Sequence, residues 1–227
     1  MTGTTDIPST LQREGFGSRK MELACIIEGR MGEEGEATSS VTLVKTATST
    51  VVVDSGAKHV RNELIRYMRE NEAKVDKVNV LVTTTATPLH TGNDDLFVHC
   101  LQHVKESDWG EVPVRSNRKV AITTPYHWID RYLKILQLPF PGSGSLVLLA
   151  HFPRKEELLE ASSVELAGKI VGICGPAVPS EDSPEVRAAL EKARTMERPG
   201  GDITDLEGLM AYCDRIVPGY GKMFDVR

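Results

Sequence analysis

What most constrains this chain is a succession of short strand-like runs in which helices enter only after the first three. Met21 to Ile27 reads as a first strand, followed by a Gly/Glu-rich loop from Glu28 to Glu36. Val41 to Lys45 and Thr50 to Val53 are β-branched runs separated by Thr46-Ala47-Thr48-Ser49, and they read as two paired strands. Asp54-Ser55-Gly56 makes a turn, after which Val60, Leu64, Tyr67 and Met68 form one helical stripe. Val78 to Val82 is apolar apart from Asn79, the pattern of a strand covered on both faces. Asn93 is expected to cap a further helix, with Asp94 and Asp95 in its first turn and Leu96, Phe97, Cys100, Leu101 and Val104 on its buried face. Val120 to Thr123, Ser145 to Ala150 and Lys169 to Cys174 read as strands. Ser183-Pro184-Glu185 opens a helix carrying Val186, Ala189, Leu190 and Ala193. Asp202 to Cys213 is expected to be the last helix, and Arg215 to Val217 the last strand.

Strand-rich stretches followed by helices, twice over, predict an α/β (α+β) fold: an αββα sandwich of two mixed β-sheets with outer helices. The 227 residues suffice for one substantial core, and no repeat or linker divides them. The expected organisation is a flexible or edge segment over residues 1–20 and one domain over 21–227.

Charge and cysteine usage exclude several classes. The net charge of -5 comes with no long basic block, so nucleic-acid binding is not indicated. No apolar run approaches the roughly 18 residues of a membrane span, and the first 20 residues lack the apolar core of a signal peptide. Cys25, Cys100, Cys174 and Cys213 show no CxxC spacing, which argues against a zinc knuckle. A soluble cytoplasmic protein with reduced thiols is the expectation.

Five segments in order resemble one family. Val51-Val52-Val53-Asp54-Ser55-Gly56 is similar to the early strand-to-turn motif of metallo-β-lactamase-fold proteins. Val80-Leu81-Val82-Thr83 and His90-Thr91-Gly92-Asn93 frame the place of that family's HxHxDH zinc motif. Leu138 to Ser145 resembles the Thr-Pro-Gly-His-Thr segment, and Ile173-Cys174-Gly175-Pro176 stands where the family has Gly-Asp. Ile216-Val217-Pro218-Gly219-Tyr220-Gly221 resembles the late Pro-Gly-His-Gly turn, with Tyr for His. The resemblance spans roughly residues 21 to 227 and looks nearest a small single-domain hydrolase branch.

That resemblance implies a set of metal-ligand positions, and this chain has lost most of them. Read back from His90, the motif's two earlier histidines fall on Thr85 and Thr87 and its aspartate on Leu89. The later histidine falls on Pro141, the bridging aspartate on Pro176 and the terminal histidine on Tyr220. Only His90 is retained, and a lone imidazole cannot hold a catalytic zinc against water. Asp54 would orient metal ligands in the family; a turn carboxylate accepting from backbone N–H groups is the simpler role.

The expectation is therefore a degenerate metallohydrolase acting as a binding, structural or complex subunit, with no cofactor. Its vestigial pocket comprises Asp54, Thr85, Thr87, Leu89, His90, Pro141, Pro176 and Tyr220. A homodimer, another protein, or a small neutral or anionic ligand in the old pocket are the partners this reading allows. The alternative is a hydrolase of esters, thioesters or phosphodiesters with a metal-free site or a rebuilt one holding a single zinc or other divalent ion. His99 and His103, at helical i, i+4 spacing, are the relocated metal pair to test, and a half-buried helical pair is the simpler reading. Tyr126-His127-Trp128 is either a ligand or partner surface or ordinary core packing.

Overall fold

In the computed structural model, residues 21–33, 35–112, 118–139, 144–157, 164–200 and 202–227 are described. The N-terminal segment 1–20 and Pro141 lie outside them.

The first sheet holds β1 (Glu22–Ile27), β2 (Val41–Lys45), β3 (Thr50–Val53), β4 (Val80–Val82), β5 (Leu101–Lys105) and β6 (Lys119–Ile122), in that spatial order. β1, β2 and β3 pair antiparallel, whereas β3 through β6 run parallel. Helix α1 (Arg61–Glu70) lies in the connection that the parallel β3–β4 pair requires. A short helix, α2 (Pro88–Thr91), follows β4.

The second sheet runs β12-β11-β10-β9-β8-β7. Its members are β7 (Tyr126–Trp128), β8 (Leu133–Leu138), β9 (Ser145–His151), β10 (Ile170–Ile173), β11 (Arg215–Val217) and β12 (Phe224–Asp225). All its pairs are antiparallel except β10 with β11. That crossover carries α3 (Pro184–Ala193) and α4 (Leu206–Tyr212). Ser183 caps α3 by accepting from the Val186 N–H, and Asp205 caps α4 by accepting from the Gly208 N–H.

Side-chain alternation along the strands builds the layers. Val44, Val51, Val53, Val80 and Val82 point from the first sheet toward Leu133, Ile135, Leu146 and Leu148 of the second. Their neighbours Leu43, Val52 and Leu81 point outward against Leu64 and Met68 of α1. Leu136, Leu138, Val147 and Leu149 point outward from the second sheet against α3 and α4. The result is the αββα sandwich, and each fully buried Val or Leu adds about 1.5–3 kcal/mol relative to exposure.

One expected helix is corrected. Asn93 to Val104 forms a 3₁₀ turn at Asp94–Leu96 and then strand β5, between β4 and β6. Its apolar residues fit helical spacing, but pairing on both edges satisfies the β5 backbone, and Gln102, His103 and Lys105 are buried within it. Asn93 does not cap through its side chain; it donates to the Ser55 and Ala57 carbonyls at 2.9 and 2.8 Å. His99 and His103 consequently share no helix face: His103 is buried on β5 and His99 is exposed before it. The last helix is shorter than expected and begins at Leu206. Strands β7, β8 and β12 have no counterpart in the strand runs read from the sequence.

Candidate functional site

The parallel pairs β3–β4 and β10–β11 each end in a loop carrying expected site residues. Asp54 follows β3 and Thr83-Thr84 follows β4; Cys174-Gly175 follows β10 and Pro218-Gly219-Tyr220 follows β11. These loops meet. The Ser40 N–H donates to the Gly219 carbonyl at 2.8 Å, and the Cys174 N–H to the Val217 carbonyl at 3.0 Å. A Cβ on Gly175 would lie 2.2 Å from Thr84 Oγ1, so this approach admits no side chain there.

Asp54 is buried in a left-handed conformation (φ 57). It accepts from the Thr84 N–H at 2.8 Å and the Thr84 hydroxyl at 2.7 Å, which pins the end of β4 to the end of β3. Burial pushes its acid well above the ordinary carboxylate range, against the opposing effect of the Thr84 bonds.

His90 is buried on α2, with Nδ1 2.7 Å from Thr87 Oγ1. Its carbonyl accepts from the Ser55 N–H at 2.7 Å. Nε2 is buried with no hydrogen-bond partner among the described residues. Burial lowers the imidazole pKa to about 4, so the ring is neutral near pH 7. Its edge meets the Tyr220 ring at a centroid distance of 6.4 Å. Burial raises the Tyr220 phenol pKa, and the nearby Asp54 adds to the rise.

The remaining expected positions lie around this pair. Thr85 is half-buried and Thr87 exposed; Leu89 is half-buried and its carbonyl accepts from the Ser39 N–H at 3.2 Å. Pro176 sits in the 3₁₀ turn Gly175–Ala177.

Two interactions beside the site have no simple sequence signature. Asp94 accepts from Ser55 Oγ and from Gln102 Nε2, each at 2.7 Å, and burial raises its pKa to about 6. Lys105, also buried, places Nζ 2.9 Å from the Gly144 carbonyl and 3.3 Å from Asp108 Oδ1. Asp108 Oδ2 in turn accepts from the Ala86 N–H at 3.1 Å, between Thr85 and Thr87. Both are hidden from motif reading because each depends on β5 being a strand.

Among the described residues the donor chemistry does not fit a hydrolytic metal centre. Zinc needs imidazole, thiolate or carboxylate ligands converging on one point. Among the described residues no group of three or more His, Cys, Asp or Glu side chains is placed to hold an ion. Residues 140–143, outside them, are Phe-Pro-Gly-Ser and carry none of these groups. What the arrangement offers instead is a neutral set: hydroxyls at Thr85 and Thr87, a phenol at Tyr220 and an unpartnered imidazole nitrogen at His90.

No family model matches the chain, and no curated protein matches it in sequence. Solved structures do. A Thermotoga maritima protein designated a metallo-β-lactamase superimposes with a TM-score of 0.63 at 16% identity, over 90% of this chain and 99% of its own. A B3 metallo-β-lactamase with an active-site glutamic acid gives a TM-score of 0.55 at 13% identity, over 98% of this chain and 88% of its own. A quorum-quenching N-acyl homoserine lactone lactonase gives 0.52 at 10% identity, over 74% and 78%. The chain therefore has the metallo-β-lactamase fold.

Proposed function

We propose that this metallo-β-lactamase-fold chain is a binding or structural protein, the subunit of a complex or a homodimer, in which the zinc-dependent hydrolysis of its fold relatives has been lost. The observation that carries the reading is the donor set. Thr85, Thr87, Leu89, Pro176 and Tyr220 occupy the positions that the family resemblance assigns to metal ligands, and the one imidazole retained among them, His90, is kept neutral by burial. Threonine and tyrosine hydroxyls are poor neutral-pH zinc ligands, and leucine and proline side chains offer none. Without a metal to lower the pKa of a water, the pocket supplies no hydroxide near neutral pH. Its neutral hydrogen-bonding groups suit a small neutral or anionic ligand.

Metal analysis of protein purified without chelator tests this reading directly. The expected result is substoichiometric zinc, iron and manganese, with no turnover of generic ester or phosphodiester substrates. Stoichiometric metal that disappears in His90→Ala would instead establish a rebuilt metal centre.

A further inference from the structure

On the outer face of the second sheet, a cavity of about 500 Å³ opens between the β7–β8 hairpin and residues 199, 200 and 202–204. Tyr126 and Leu136, register partners in the hairpin, both line it, and Tyr212 of α4 lines it from the helical layer. Lys134 borders the same space. Its Nζ lies 4.4 Å from the Tyr126 ring centroid and 5.5 Å from that of Trp128, its own register partner.

This ammonium is only half satisfied. Two aromatic faces attract it through cation–π contacts. Among the described residues, however, no hydrogen bond or ion pair engages its three N–H donors. Asp202 also lines the cavity and supports the charge only at longer range. A surface lysine often drapes its stem over an aromatic ring and leaves its head in water. Here the head borders a half-open cleft lined by tyrosine side chains and by Gln137, within the size range of small-molecule sites.

The geometry points to a binding site for a small planar aromatic carboxylate, its ring over Leu136 between Tyr126 and Tyr212 and its carboxylate on the Lys134 ammonium. The cation–π contacts pre-position Lys134, so the carboxylate meets an ordered donor rather than a freely rotating one. This site is independent of the His90 pocket and of whether that pocket holds metal.

Trp128 supplies the reporter. The chain has two tryptophans, so the Trp109→Phe protein leaves one indole N–H resonance, that of Trp128. 4-Hydroxybenzoate is titrated into this protein, with uncharged 4-hydroxybenzamide as the comparator. The acid is expected to shift the Trp128 resonance saturably at roughly millimolar concentration or below and to bind about tenfold more tightly than the amide. Lys134→Met, which keeps an apolar stem, is expected to remove that preference without abolishing weak binding of either ring. Equal affinities for acid and amide, or no saturable shift with the acid, overturns the assignment, as does an acid preference that survives in folded Lys134→Met. If Lys134→Met fails to fold, the acid–amide comparison on the Trp109→Phe protein decides alone.

Discussion

The Lys105 ammonium lies 3.3 Å from the Asp108 carboxylate, and the pair bridges the loop after β4 and the residue before β9. Lys105 also donates to Gly144 beside β9, while Asp108 accepts from Ala86 in the loop after β4. A buried ion pair thereby ties these two segments together.

Removing one member of that pair leaves the other buried without its partner, which typically costs about 3–5 kcal/mol. Lys105→Met is therefore expected to lower the urea midpoint strongly. The double variant Lys105→Met with Asp108→Leu should recover part of the loss, because no lone charge then remains. A single substitution costing under about 1 kcal/mol would rule the pair out as the clasp.

Closure of the β10 loop onto the β4 loop depends on Gly175. Its φ is +48, and a Cβ would meet Thr84 Oγ1 at 2.2 Å. Gly175→Ala should cost about 2 kcal/mol or more, from left-handed strain and overpacking together. Gly110→Ala, where a Cβ meets nothing within 4 Å, is the matched control and should change stability little. Equal effects of the two in chemical denaturation would refute the close approach.

Three buried imidazoles predict acid sensitivity, the first being His90, which burial lowers to about 4. Burial lowers His103 to about 4, with His127 adding to the effect, and lowers His151 to about 4, with Lys134 and Arg198 adding. Their ordinary value is 6.5, so between these values the unfolded chain binds more protons than the folded one. This contribution to stability is present above about pH 6.5 and is lost as pH falls toward 4. Asp94, raised to about 6 from 3.8, and Asp54, raised well above 3.8, both by burial, act oppositely and gain as pH falls through that window. The three imidazoles outnumber the two carboxyls, so the urea midpoint should drop between about pH 7 and pH 5, and His103→Gln should flatten the slope. A midpoint that rises on acidification contradicts this assignment.

Restoring the motif should restore metal affinity. Thr85→His, Thr87→His and Leu89→Asp together rebuild the family's pattern around His90. The triple variant is expected to acquire the visible absorption of bound cobalt, which the unaltered chain should lack. Failure of a folded triple variant to take up cobalt would refute the positional correspondence. Stoichiometric uptake by the unaltered chain would refute the loss of the site.

How far the sequence could be read depended on whether local pattern and tertiary environment agreed. Val51-Val52-Val53 and Val80-Leu81-Val82 are central strands covered on both faces, and β-branched apolar runs announce them. Ser183 and Pro184 announce α3 because capping is a local interaction. Leu133 to Leu138 escaped detection because Lys134 and Gln137 interrupt its apolar pattern, yet its backbone pairs with β7 and β9 on either side. Among the site residues, the surroundings of Asp54 and His90 were legible as turn motifs. The Asp94–Gln102 and Lys105–Asp108 contacts were not, since each depends on β5 being a strand.

By itself the sequence determined the sandwich class and the residue types at the positions expected to hold a metal. Both rest on residue type at fixed places: alternating apolar residues must be buried, and threonine, leucine, proline and tyrosine cannot replace imidazole and carboxylate at a zinc ion. Only the tertiary structure decided that Leu101 to Lys105 is a strand, that His90 Nε2 is buried near Tyr220 with no hydrogen-bond partner among the described residues, and that Lys105 pairs with Asp108 beside the loop after β4. Buried polar groups are satisfied by whichever partners the fold brings within about 3 Å. Distance along the chain does not specify those partners.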